Sequence, residues 1–203
     1  MLWMGWFGFN AGSAVTSGAS AGMAMLVTHT SAAAGSLAWV SMEWYQGDKP
    51  SSVGLVTGMV AGLASVTPAS GYIGPAGGLI LGISSGIICE MMSKVVKTKL
   101  LIDDSIDVFA VHGVGGMIGS FAVSFLDHPY MQGLGLADDT VQYQVKVQTI
   151  AILSVSIYSV VGTLAILLVL DRVIPGGIRV KLADEKGGLD KMVLGEKAYA
   201  GLE

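Results

Sequence analysis

Long apolar blocks separated by short polar segments divide the chain. Residues 21–40, 53–66, 73–92, 103–126 and 147–170 each read as a membrane-spanning helix. An opening block, 1–15, is too short to cross a bilayer, which takes about 20 residues. It has no basic leader, and Trp3, Trp6, Phe7, Phe9 and Asn10 interrupt any uniform apolar core, so it does not read as a signal peptide. It is expected to be part of a membrane helix whose beginning lies upstream. Polar or rigid punctuation falls between the blocks: 16–20, the Lys49–Pro50 loop, and a turn holding Pro68, Gly71, Gly74 and Pro75. Lys94, Lys97 and Lys99 follow the fourth block, and a loop with His128, Pro129, Asp138 and Asp139 precedes the last. Trp39, Trp44 and Tyr45 end the second block as expected interface aromatics. The pattern predicts an all-α polytopic membrane bundle of about five full spans and one partial span. It occupies residues 1–170, with a polar tail over 171–203.

The fifth block carries the most chemistry. Asp103, Asp104 and Ser105 can cap its first turn, and Asp107 suits the positive end of the helix dipole. His112 lies about 12 Å deeper at helical rise, near the middle of a hydrocarbon layer roughly 30 Å thick. A regular helix puts Asp104, Val108, His112 and Gly115 on one face, and Gly113, Gly115, Gly116, Gly119 and Ser120 are spaced for close helix contact. The residues alone leave two readings of His112 open. It is either a buried imidazole bonded to a carbonyl or part of a path, the default for intramembrane ionisable groups. Burial among Val108, Val111 and Val114 is expected to favour the neutral ring.

Composition narrows the class. Hydrophobic residues make up 52% of the chain and charged ones 13%, so a membrane protein is expected. The 29 glycines show no collagen period and read as helix contact rather than linker. Basic residues are scattered, and no nucleic-acid signal is present. Cys89 is the only cysteine, which rules out an internal disulfide and reads as a small buried hydrophobe; no zinc-type ligand cluster exists. With the tail inside, alternate loops put every Lys and Arg on the cytoplasmic side except Lys146. Asp103 is then near the cytoplasm, and Ser13 near the outer surface.

Four segments together resemble the Amt branch of the ammonium transporter (Amt/Rh) family: Gly5-Trp6-Phe7-Gly8-Phe9-Asn10-Ala11-Gly12-Ser13; Thr67-Pro68-Ala69-Ser70-Gly71-Tyr72; Asp103 through Gly116; and the tail pieces Gly188-Leu189-Asp190 and Gly195-Glu196-Lys197-Ala198-Tyr199. The resemblance implies the carboxy-terminal half of an eleven-helix protomer, starting inside the sixth helix, and a homotrimer with one path per subunit. It implies that Phe9 is an aromatic gate, Trp6 a pore-lining indole, and Ser13 a recruitment hydroxyl. His112 would be the second of two pore histidines, the first lying on the fifth helix, which this chain lacks. Val108 would be a wall residue, and Asp104 and Asp107 carboxylates near the internal mouth, with capping accounting for them better than transport. A PII-type signalling protein is a possible partner at the cytoplasmic face, through a tail in which Leu194 and Met192 depart from the family pattern. No cofactor and no enzymatic activity are implied.

The residues suit ammonium. Trp6, Phe9 and Ser13 fall at i, i+3 and i+7, so an aromatic face and a hydroxyl can meet one cation. A bare ammonium ion is costly at the membrane centre whereas ammonia is not, so His112 is expected to act in a relay that separates ammonia from its proton. Ordinary packing remains the competing reading of the aromatic stripe. His29 is expected to make a hydrogen bond within the bundle, and His128 to be solvated. The other classes considered are a membrane ammonium sensor, an Rh-type neutral gas channel, and an electron-transfer subunit with His29 and His112 as haem ligands. A sensor would be marked by an appended signalling domain, whereas the chain ends soon after its tail. The chain is expected not to conduct alone.

Overall fold

A computed structural model describes residues 1–131 and 140–196. The loop acids Asp138 and Asp139 and the tail residues Lys197, Ala198 and Tyr199 lie outside the described residues. Every regular element among the described residues is helical: α1 (Leu2–Gly12), α2 (Ala19–Tyr45), α3 (Ser52–Val66), α4 (Pro75–Thr98), α5 (Gly115–Leu126), α6 (Val141–Val173) and α7 (Leu182–Gly187). A π-helical turn, Phe109–Val114, runs directly into α5, and a second, Asp190–Leu194, follows α7. The chain is an all-α polytopic membrane bundle. It divides into two compact units, Met1–Ile152 and Leu153–Glu203.

Local chemistry places the helix starts. Ser51 caps α3 by accepting from Gly54 N–H at 2.8 Å, and the Glu43 carboxylate at the end of α2 accepts from both the N–H and the hydroxyl of Ser51 at 2.9 Å. Pro75 opens α4 at a position where the missing N–H costs nothing.

Among the described residues, three helices are long and apolar enough to cross a membrane: Pro75–Thr98, Phe109–Leu126 and Val141–Val173. The other two expected spans differ for physical reasons. α3 has only 15 residues, and α2 has 27 but dilutes its apolar character with Thr28, Ser31 and Ser36, all buried. These hydroxyls are satisfied on backbone carbonyls, Thr28 on Ala24 at 2.6 Å and Ser36 on Leu55 at 2.8 Å.

α2 is central to the first unit, packing against α1, α3 and α4. At Ser31 its backbone passes between two glycines: a Cβ on Gly62 of α3 or on Gly82 of α4 would overlap the Ser31 carbonyl. The Ser31 hydroxyl donates to the Gly62 carbonyl at 2.8 Å, so the contact is bonded as well as close. Trp39, expected at an interface, is instead 5% exposed in a cluster with Ala61, Ala64, Cys89 and Val111, because the middle of α2 faces protein; Trp44 and Tyr45, one turn on, are exposed.

Two expectations about α5 change. Of the five small residues, Gly119 makes the close approach, where a Cβ would overlap the Ser65 carbonyl, while Gly116 has open space and Gly113 meets only its own Phe109. The helix also does not begin at Asp103. Asp107 has φ +57°, and regular structure starts at Phe109 as a π turn. The wider turn breaks the expected single face, so His112 is exposed in this chain while Gly115 is buried.

Candidate functional site

α1 and the π turn bring three of the sequence-derived candidates together. The Trp6 indole stacks on the His112 imidazole, with centroids 6.3 Å apart and 20° between planes, and meets Phe9 edge-on at 6.1 Å and 86°. Phe9 is 60% exposed, Trp6 half-buried, and His112 exposed, so the three rings form a wall with an open side rather than a closed core. The expected burial of His112 by three valines is not found: Val111 is buried, but Val108 is about half exposed.

Ser13 sits just past the end of α1 and donates to the Phe9 carbonyl at 2.6 Å, which puts the hydroxyl on the same end as the Phe9 ring. Trp6 is anchored by a residue the sequence offered only as part of a turn motif. Its Nε1–H donates to Thr67 Oγ1 at 2.8 Å. A hydroxyl immediately before Pro68 was the available signal, but its pairing with α1 is long-range.

The carboxylates at the other end have distinct roles. Asp104 caps the turn that carries His112, accepting from Val108 N–H at 2.8 Å and Phe109 N–H at 2.9 Å. Asp103 and Ser105 bond to each other and not to the helix. Asp107 pairs with Lys97 at 2.8 Å and accepts from Ser93, which ties the start of the π turn to α4.

A cavity of about 350 Å³ opens beside Asp107, lined in part by Glu43, Asp48, Glu90, Lys94, Lys97 and Asp107 itself. Glu90, 1% exposed, pairs with Lys94 at 2.8 Å and accepts from Gln46 Nε2 at 2.9 Å. Lys94 also donates to Gln46 Oε1 and pairs with Asp48 at 3.1 Å, closing a ring between α4 and the turn that follows α2. Glu90 with Lys94 at i+4 in an apolar helix was the sequence signal for this ring.

His29 does not make the expected hydrogen bond. It is exposed and meets the rings of Trp3 at 5.1 Å and Phe7 at 6.0 Å. Cys89 is fully buried beside Val111, as a small hydrophobe. Among the described residues no group of three His, Cys, Asp or Glu side chains could hold a metal ion.

The profile of the Ammonium Transporter Family matches residues 1–199. The chain belongs to that family. The ammonium transporter Amt1 of Archaeoglobus fulgidus is 40% identical over 200 residues, covering 98% of this chain and 50% of that protein. The crystal structure of a Candida albicans Mep2 mutant superposes with a TM-score of 0.83 at 33% identity, covering all of this chain and 47% of its own. A structure titled "Sensor Amt Protein" also gives 0.83, at 29% identity, over 93% of this chain and 46% of its own. The chain thus spans about half the length of the relatives it matches.

Proposed function

We propose that this chain is the carboxy-terminal half of an ammonium transporter, contributing one wall of a path on which the cation is recruited by aromatic faces and passes on as ammonia and a separate proton. The observation that carries the reading is the convergence of Trp6, Phe9 and His112 on one open-sided wall. The indole and phenyl faces attract a cation, by about 1 to 2 kcal/mol when partly desolvated. Ser13, at the Phe9 end, supplies a hydroxyl that can meet the same ion. The imidazole of His112 accepts a hydrogen bond from ammonia or hands on a proton. Val108, one turn before it, is an apolar wall residue, and Asp104 and Asp107 hold the turn rather than the substrate.

The reading carries the family's assembly with it. The protein is a homotrimer in the cell membrane, multi-pass, with its transmembrane domain over 1–170 and a cytoplasmic regulatory tail over 171–203 that a PII-type protein can contact. The orientation is supported by the basic residues, of which only Lys146 falls outside.

The test is ammonium-dependent current in supported proteoliposomes, comparing this chain with the same chain preceded by its upstream sequence. Current only from the longer form is the expected result. Current from this chain alone overturns a relay that needs a second histidine. A sensor is the second reading, favoured by the likeness to the structure titled "Sensor Amt Protein". It predicts ammonium binding without current in either form.

A further inference from the structure

The Trp6 indole has one polar atom, and that atom is committed. Nε1–H donates to Thr67 Oγ1 at 2.8 Å, while the Thr67 hydroxyl spends its own single proton on the Leu63 carbonyl, also at 2.8 Å. A hydroxyl has one donor and two lone pairs, and an indole can only donate, so both groups are used in the one sense available to them. Thr67 is itself held. It ends α3 with helical backbone angles, φ −52° and ψ −50°, and its hydroxyl is tied to the Leu63 carbonyl one turn back. The next turn is closed by Ala69 N–H on the Val66 carbonyl at 2.9 Å, with Ala69 fully buried. A rigid acceptor on α3 therefore holds a flat ring on α1, and the face of that ring lies against His112 on a third element, the π turn.

We propose that Thr67 is a positioning residue for the candidate path. By accepting from Trp6 it fixes the plane of the indole face-on to His112 and edge-on to Phe9. Without that acceptor, the terminal torsion of a tryptophan side chain has a broad, two-fold choice, and packing alone must select the plane. Trp6 is only half-buried on an open-sided wall, so packing is incomplete there. The consequence for transport rests on the reading above; the geometric claim does not.

The two parts are separated by measuring both. In protein labelled with ¹⁵N at the indole nitrogens, the four tryptophans give four Nε1–H signals, and Trp6→Phe identifies the one from Trp6. Thr67→Val removes the acceptor at nearly constant volume and is expected to move the Trp6 signal upfield while leaving the other three in place. Thr67→Ser keeps the hydroxyl and is expected to keep the signal. Ammonium current in the upstream-extended form should fall about fivefold in Thr67→Val, the factor matching a hydrogen bond's net worth, and recover in Thr67→Ser. Thr67→Val should add nothing further in a Trp6→Phe background. If Thr67→Val does not fold, Thr67→Ala takes its place in every arm.

A Trp6 signal unmoved by loss of the hydroxyl overturns the proposal. So does a Thr67→Ser protein as impaired as Thr67→Val, or a full additional loss in the Trp6→Phe background. A Trp6 signal that moves in a protein with no current in any form upholds the positioning role and counts against transport instead.

Discussion

The imidazole of His112 lies near-parallel to the indole of Trp6, with centroids 6.3 Å apart and only 20° between the ring planes, although one ring comes from the first helix and the other from the π turn before α5. The near-parallel indole lies along one side of the imidazole, and the His112 side chain is exposed. A group so placed can exchange a proton with a ligand on the open side of the wall. Replacing His112 with Ala in the upstream-extended protein is therefore expected to cut ammonium current by about a hundredfold, the low end for loss of a positioned proton-transfer group. Current and radiolabelled methylammonium uptake are the measurements, and wild-type values in both would sink the relay.

Much of this arrangement is legible in the sequence. The apolar blocks lie where the helices are, because cap chemistry at Ser51 and Pro75 agrees with the hydrophobic pattern. Trp6, Phe9 and His112 stand out in the sequence by helical spacing and by an ionisable ring in an apolar block. The rest depends on long-range or sub-helical detail. A π turn inserts extra residues per turn without any signature in the periodicity, so the face shared by Val108 and His112, both exposed, does not continue to Gly115, which is buried. Trp39 looked like an interface residue because its neighbours Trp44 and Tyr45 are; only the central position of α2 turns it inward. Neither the Thr67 acceptor nor the Gln46 closure over Glu90 could be found before α1, α2, α3 and α4 were set side by side.

The Glu90–Lys94 pair is asymmetric, and the asymmetry is testable. The Glu90 side chain is almost wholly buried, whereas Lys94 is 43% exposed and has Asp48 as a second partner. Lys94→Met strands a buried carboxylate with Gln46 alone and is expected to cost about 3 kcal/mol, toward the lower end for breaking a buried pair. Glu90→Leu leaves a lysine that still reaches Asp48 and water, so its cost should be about 1 kcal/mol. The double variant Glu90→Leu/Lys94→Met should recover most of the loss in Lys94→Met. Thermal unfolding of the detergent-solubilised protein gives all three values, and equal losses in the two single variants would refute the asymmetry.

Gly119 and Gly116 form an internal control within α5. An alanine at 119 would drive its Cβ into the Ser65 carbonyl, while at 116 nothing lies within 4 Å. Gly119→Ala should destabilise by about 1 to 3 kcal/mol as α3 and α5 are forced apart. Gly116→Ala should be neutral or stabilise by up to about 1 kcal/mol through helix propensity. The same unfolding assay checks both, and a Gly119→Ala protein as stable as wild type would contradict the close approach.

Asp107 combines a left-handed backbone with two side-chain partners, and the two contributions can be separated by choice of substitution. Its φ of +57° costs a typical L-residue about 1 to 2 kcal/mol, but Asp and Asn tolerate the region because their short polar side chains bond locally. Asp107→Asn keeps that tolerance and an oxygen for Ser93 while giving up the charge facing Lys97. Since Lys97 is 41% exposed, the loss should be about 1 kcal/mol. Asp107→Ala gives up the tolerance, the charge and the acceptor together, and should cost about 2 to 3 kcal/mol. Asp107→Gly relieves the backbone but loses both partners and should fall between them. Unfolding midpoints in the order wild type, Asn, Gly, Ala are expected; an Ala variant no worse than Asn would mean that neither the backbone nor Ser93 matters at this junction, and that the π turn is held by the Asp104 cap alone.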